Sequence, residues 1–255
     1  MHFDHISDYE KLLLHDLTLT ELQTHFEAPY FFHLQDTGSH HQHSQIIDQL
    51  IGVYPRDIEH DLLMLGKDLI PDGNVETWGR RMHEGHQTWV GLDPDILQTP
   101  YAEIYEMLKK LDPQGNTHIV DLGAAYGRMG FVLHYLYPEA FFTGYEYVTE
   151  RVEEGNRMLN KYGCDRALIV EQDLSSEDFK LPEADIYFLY DYGRPDQIRY
   201  TLKELERMGE KKNLFVVARG TACRHYIHKS HPWLSQIFDI YHSNEFSIYS
   251  NFRDL

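Results

Sequence analysis

Cysteine is almost missing from this sequence: Cys164 and Cys223 are the only two in 255 residues. Two cysteines cannot build a disulfide framework or a thiolate-rich zinc site, so both read as free thiols of a reducing compartment. Long apolar runs are also lacking, and none approaches the ~20 residues that span a bilayer. The opening Met1-His2-Phe3-Asp4-His5 has no basic start leading into an apolar stretch, so a cleaved secretory signal is not expected and a cytoplasmic protein is the default. Positive charge is scarce. The chain has 23 Lys and Arg against 41 Asp and Glu, a formal net charge of -18. Nucleic-acid binders cluster Lys and Arg against phosphates, so DNA or RNA is a poor first expectation for a partner. A basic protein or a cationic small molecule suits the charge better.

Hydrophobic residues make up 42% and charged residues 25%, an ordinary globular balance. Asp8–His15, Leu19–Phe26 and Ser44–Val53 carry apolar residues at helical spacing, and Pro55 opens a further amphipathic segment with Ile58, Leu62, Leu63, Leu65 and Leu69. Residues 1–75 thus read as a helical N-terminal region, interrupted by a loop over Asp36–His43. Residues 76–100 read as a covering loop, with Trp78 and Trp89 flanking Arg80–His86 either as a lid or as anchors to the core.

From residue 101 the pattern alternates. A helix over Tyr101–Leu111 precedes strands at His118–Leu122, Phe141–Glu146, Ala167–Glu171, Asp185–Tyr190 and Asn213–Ala218. Helices are expected near Gly127–Leu136, Glu150–Tyr162 and Pro195–Met208. Such alternation implies a doubly wound, mostly parallel α/β sheet. At the C-terminus, Ser235–Tyr241 and Glu245–Tyr249 flank a turn and suggest an antiparallel hairpin.

The informative stretch is Asp121-Leu122-Gly123-Ala124-Ala125-Tyr126-Gly127, where a buried strand ends in an acid and runs through a glycine turn into a helix. The turn brings backbone close to a ligand, and the helix start offers unpaired N–H groups to a carboxylate. Asp121 could accept from a ligand ammonium or simply cap the turn. Glu146, at the tip of the second strand, lies where ribose hydroxyls are bound in this architecture, with Tyr147 beside an adenine. Asp173, after the third strand, could accept from the adenine amine or cap a helix.

These motifs resemble those of class I S-adenosylmethionine-dependent methyltransferases. The glycine turn is similar to their acid-x-Gly-x-Gly-x-Gly signature, with Ala125 in place of the central glycine. Gly144-Tyr145-Glu146 and Glu171-Gln172-Asp173 look like their second and third motifs. The resemblance covers roughly Thr99 to Tyr249 and implies a seven-stranded sheet over residues 101–255, closed by the C-terminal hairpin. It further implies an S-adenosyl-L-methionine site at Asp121, Gly123, Ala125, Gly127, Glu146, Tyr147 and Asp173. Thr99-Pro100-Tyr101-Ala102-Glu103 resembles the approach helix of the non-SET histone lysine methyltransferases, which implies Thr99 and Tyr101 at the cofactor as well.

After the fourth strand, Tyr190-Asp191-Tyr192 would face the transferred methyl group. Asp191 could orient or deprotonate an acceptor while the tyrosines wall the passage, or all three could form a helix-start turn. Two other readings compete. A non-catalytic S-adenosylmethionine binder would share the site without turnover. An NAD-dependent oxidoreductase would want Gly-x-Gly-x-x-Gly, which the spacing Gly123, Gly127, Gly130 fits poorly. No metal is expected: His40, His41 and His43 fall in the expected loop, and His225, His228 and His231 lack paired i, i+4 spacing.

Overall fold

The computed structural model describes Phe3 and residues 5–67, 93–234 and 241–252. The tryptophan-flanked stretch, and most of the expected strand Ser235–Tyr241, lie outside the described residues. The first helices are α1 (Ile6–Leu13), α2 (Leu19–Phe26), α3 (His40–Ile51) and α4 (Pro55–Lys67). Thr18 and Glu21 cap α2 reciprocally, and Gly52 ends α3 in the left-handed region at φ 79°. The expected loop over 36–43 is corrected here. His40, His41 and His43 belong to α3, because the buried positions Ile46, Ile47 and Ile51 continue back through Ser44 and His43 at helical spacing. His43 is fully buried, 4.4 Å from the Tyr9 ring centroid, and burial pulls its pKa down to about 3. It is a neutral core residue at physiological pH.

A short turn, α5 (Pro94–Leu97), leads into α6 (Tyr101–Leu111), and the alternating elements follow: β1 (His118–Leu122), α7 (Arg128–Leu136), β2 (Phe141–Glu146), α8 (Thr149–Lys161), β3 (Ala167–Glu171) and β4 (Ile186–Tyr190). After these come α9 (Pro195–Gly209), β5 (Phe215–Arg219), α10 (Thr221–Ser230) and β6 (Phe246–Ser250). Helix α10 was not anticipated, and it carries His225 and His228. Among the described residues the sheet has six strands, in the order β3-β2-β1-β4-β5-β6, where seven were expected. The first five run parallel, and β6 pairs antiparallel with β5, from Phe215 opposite Ser250 to Arg219 opposite Phe246. The order reverses between β1 and β4, and at such a switch point the carboxyl ends of the strands open a crevice.

Each face of the sheet has its own core. Val120, Leu122, Tyr187 and Val216 meet Ile198, Leu202 and Leu205 of α9 and Ile227 of α10. On the other face, Ile119, Phe188 and Val217 join a core that continues through Phe131 and Tyr162 into Phe26 of α2, Phe31 and Phe32 of the turn after it, and Ile47 of α3. Phe26 sits 5.3 Å from Phe131 and 5.6 Å from Tyr162, edge to face. The N-terminal helices therefore form an additional layer on the sheet domain.

Gly155 shows how tightly α8 is seated. A Cβ there would lie 2.3 Å from Ile169 Cδ1 and 2.9 Å from the Tyr126 carbonyl oxygen. The carbonyl belongs to the glycine turn and cannot yield without moving it. Gly155→Ala is expected to destabilise the protein by about 1–3 kcal/mol in urea unfolding, although alanine is the better helix former by about 1 kcal/mol. An unchanged or raised midpoint would refute this seating.

Candidate functional site

The carboxyl edge of β1, β2 and β4 is built around the turn that follows β1. Gly123 (φ 95°), Ala125 (φ 47°) and Gly127 (φ 75°) all adopt left-handed backbone. Ala125 does so despite its Cβ, a conformation that strains an L residue by roughly 1–2 kcal/mol. The amide of Ala125 is held in place by the Oε2 of Glu146 at 3.0 Å. A Cβ on Gly123 would come within 2.8 Å of Tyr192 Cβ, so this glycine serves packing as well as the turn. Gly127 caps the start of α7.

Two cavities open at this edge. One, of about 40 Å³, is lined by Asp121, Gln98, Thr99, Met129, Tyr190 and Arg219 among others. The second, of about 50 Å³, is lined by Tyr145, Glu146, Tyr147, Arg151, Leu174 and Tyr192. Leu97, Gly123, Ala125 and Tyr190 wall both, and so form the partition between them. Each cavity has room for only a few water molecules, below the ~300 Å³ of a small-ligand site, so a nucleoside-sized ligand needs more space than either cavity gives by itself.

Asp121 points into the first cavity, and no hydrogen bond to its carboxylate is found among the described residues. Burial, reinforced by the Glu146 charge, pushes its pKa up to about 7. Glu146 is buried and heavily contacted. Its Oε1 accepts from the Tyr147 and Val148 amides, both at 3.0 Å, and from Arg151 Nη1 at 3.4 Å. Among the described residues its Oε2 accepts from the Ala125 amide, and a carboxylate oxygen with one such bond keeps accepting capacity toward the second cavity.

Arg151 is itself clamped by Glu59 of α4, with Nε to Oε1 at 2.7 Å and Nη2 to Oε2 at 3.0 Å. Burial works against the guanidinium charge, but Glu146 and Glu59 outweigh it and raise the pKa above the ordinary arginine value. Tyr126 donates to the same Glu59 at 2.9 Å. On the other side, Arg128 pairs with Asp48 of α3, lies 4.9 Å over the Tyr101 ring and donates to the Thr99 carbonyl at 3.4 Å. The N-terminal helices thus supply the counter-charges for two arginines that line the cavities.

The remaining expected residues fall in different places. Thr99 lines the first cavity and Tyr147 the second. Tyr101 lines neither, and its hydroxyl donates to Asp48 at 2.9 Å in the interface with α3. The Asp173 carboxylate accepts from the Ser175 amide at 2.8 Å and hydroxyl at 2.6 Å, and its neighbour Leu174 reaches the second cavity instead. Asp191 (φ 33°) accepts from the Ala222 and Cys223 amides at 3.1 and 2.8 Å and so caps α10. Tyr192 presents its ring to the second cavity while its hydroxyl bonds Thr201. Tyr190 alone of these three lines both cavities, with the Arg219 guanidinium 4.3 Å over its ring. Leu97, Gln98 and Arg151 were not foreseen. Leu97 and Gln98 sit in a stretch without periodicity, whereas Arg151 follows Glu146 by five residues at a helix start and carried a weak local signal.

No protein-family model matches this chain, and no characterised protein matches it by sequence. Solved structures similar to it include an RNA methyltransferase from Salinibacter ruber in complex with S-adenosyl-L-homocysteine, at 18% identity and a TM-score of 0.45, covering 60% of this chain and 91% of the other. A precorrin-6y C5,15-methyltransferase from Geobacter metallireducens is 16% identical with a TM-score of 0.47, covering 60% and 88%. A SAM-dependent O-methyltransferase from Thermotoga maritima is 17% identical with a TM-score of 0.46, covering 60% and 65%.

Proposed function

We propose that this chain is an S-adenosylmethionine-dependent methyltransferase acting on a protein or small-molecule acceptor, with residues 101–255 as its cofactor-binding unit. The observation that carries the reading is the shared floor of Gly123 and Ala125, which walls one cavity holding the unpartnered Asp121 and another holding Glu146. Those two acids suit the two ends of an aminoacyl nucleoside. Asp121 would accept from the ammonium, the amides of the first turn of α7 would take the carboxylate, and Glu146 Oε2 would accept from a ribose hydroxyl. Leu174 and Tyr147 offer faces to the adenine. An antiparallel last strand beside β5 supports this reading over a dehydrogenase.

When bound, the sulfonium supplies an activated methyl group. The protein's share is alignment, for which well-oriented reactants gain up to ~7–11 kcal/mol. Tyr190, on the partition, would wall the methyl passage. Asp191, committed to the α10 amides, is poorly placed to take the acceptor's proton. That placement favours the non-catalytic binder as the second reading. Formation of S-adenosylhomocysteine with an acceptor separates the two. A net charge of -18 favours a cationic acceptor, but a local basic patch is compatible with it, so the acceptor panel includes RNA. Among the described residues no helix is long and apolar enough to cross a membrane. A cytoplasmic location is part of the proposal.

The test is calorimetry with S-adenosylhomocysteine and NAD on the wild type, Glu146→Gln and Leu97→Ala. S-adenosylhomocysteine should bind, and NAD should not. Glu146→Gln should weaken binding about tenfold through loss of a charged acceptor. Leu97→Ala should tighten it several-fold, because the shorter side chain leaves more room in the partition. Selective NAD binding, or no binding to either ligand, would overturn the proposal.

A further inference from the structure

The segment before α6 carries a buried side chain that no described residue satisfies. Gln98 is 4% exposed, lines the Asp121 cavity, and neither its Oε1 nor its Nε2 has a hydrogen-bond partner among the described residues. An unpaired buried carboxamide destabilises a fold, and such groups are rare in native proteins unless a ligand or water completes them. The other walls of this cavity do not offer a partner. Leu97, Ile104, Met107, Met129, Phe188 and Val217 are apolar. Arg128 is paired with Asp48, and Arg219 donates to Glu103 at 2.8 Å. Gln98 and Asp121 are two polar groups of this cavity without a hydrogen-bond partner among the described residues, one neutral and able to donate, the other an acceptor.

The backbone around Gln98 is held from outside the sheet. Asp95, three residues earlier, accepts from Gln45 of α3 at 2.6 Å and from Arg56 of α4 at 2.7 Å. Arg128 holds the Thr99 carbonyl one residue later. The carboxamide is thus fixed by a strap that the N-terminal helices pin down, and it comes from none of the strand-tip motifs.

We infer that Gln98 is a specificity-determining binding residue: its Nε2 donates to the carboxylate of a zwitterionic amino-acid group whose ammonium is held by Asp121. This rests on the proposed cofactor reading and deepens it. The site discriminates the aminoacyl nucleoside from the nucleoside alone, and the N-terminal helices take part in that discrimination through the strap.

The experiment compares S-adenosylhomocysteine with 5′-methylthioadenosine, which keeps the nucleoside and lacks the amino-acid group. Wild type, Gln98→Leu and the isosteric Gln98→Glu are titrated by calorimetry, and the ligand-free proteins are melted. Both variants should lose roughly 10- to 100-fold in affinity for S-adenosylhomocysteine, the range for one hydrogen bond to a charged group. Affinity for 5′-methylthioadenosine should stay within twofold. The ligand-free Gln98→Leu protein should melt no lower than wild type, since it loses an unpaired polar group and no bond. Equal weakening for both ligands, unchanged affinity for S-adenosylhomocysteine in either variant, or a lowered melting temperature of ligand-free Gln98→Leu would overturn the inference. If wild type binds neither ligand, the cofactor reading fails and the Gln98 assignment fails with it. If wild type binds both and the variants do not discriminate, only the assignment fails.

Discussion

Asp121→Asn should make the ligand-free protein more stable and the liganded protein harder to form. Folding raises this carboxyl from an ordinary 3.8 to about 7, chiefly by burial. The folded state therefore binds the proton more tightly than the unfolded chain does. Ionised Asp121 then opposes folding in full above pH 7, and the opposition fades as pH falls toward 4. Over that span the effect is on the order of 2–4 kcal/mol. The asparagine variant should melt several degrees higher than wild type at pH 8, with the gain shrinking on acidification and gone near pH 4. Binding should move the opposite way. An ammonium ligand needs the ionised carboxylate, so wild-type affinity for S-adenosylhomocysteine should fall about tenfold per pH unit below 7, while the variant binds weakly at every pH. A flat wild-type profile from pH 5 to 8 would remove Asp121 from the site. So would an asparagine variant that binds like wild type.

Removing Arg151 should have the largest effect on stability. Arg151→Ala leaves the Glu59 and Glu146 carboxylates buried without their shared cation. Breaking a buried pair from one side destabilises by about 3–5 kcal/mol, a fall in melting temperature on the order of 10 °C for a chain of this size. The double variant Glu59→Leu, Arg151→Leu replaces the pair by apolar groups and should recover much of the stability. It should not recover ligand affinity, because Glu146 has still lost one of the donors that aim it. Equal denaturation midpoints for Arg151→Ala and wild type would show that the pair contributes nothing. Full affinity in the double variant would show that the N-terminal helices do not position the site.

How far these features could be read in advance depends on how local their causes are. The ranges of β1, β2 and β3 follow from short apolar-rich stretches closed by an acid or a glycine turn, and that of α6 from apolar positions at helical spacing, each within one stretch of chain. The turn from Asp121 to Gly127 is equally local, since its left-handed positions lie next to one another. His43 was misassigned for the opposite reason. A polar, histidine-rich composition looks like a loop until the Tyr9 ring provides an apolar neighbour 34 positions away to bury it. Asp191 is a similar case, because its carboxylate is claimed by amides 31 and 32 residues later, at a helix the polar composition concealed.

The sequence by itself determined the alternation of strands and helices, the glycine turn and the acids at the strand tips, because hydrophobic period and backbone conformation are properties of neighbouring residues. Only the tertiary structure decided which of those acids stay free. Asp121 faces a cavity with no hydrogen-bond partner among the described residues, Glu146 is held by amides and by Arg151, Asp173 closes its own turn, and Asp191 caps α10 from across the sequence. A carboxylate's availability depends on which donors and cations approach it through space. For this site the decisive ones come from as far as Glu59 and Asp48, 92 and 80 residues from the arginines they neutralise.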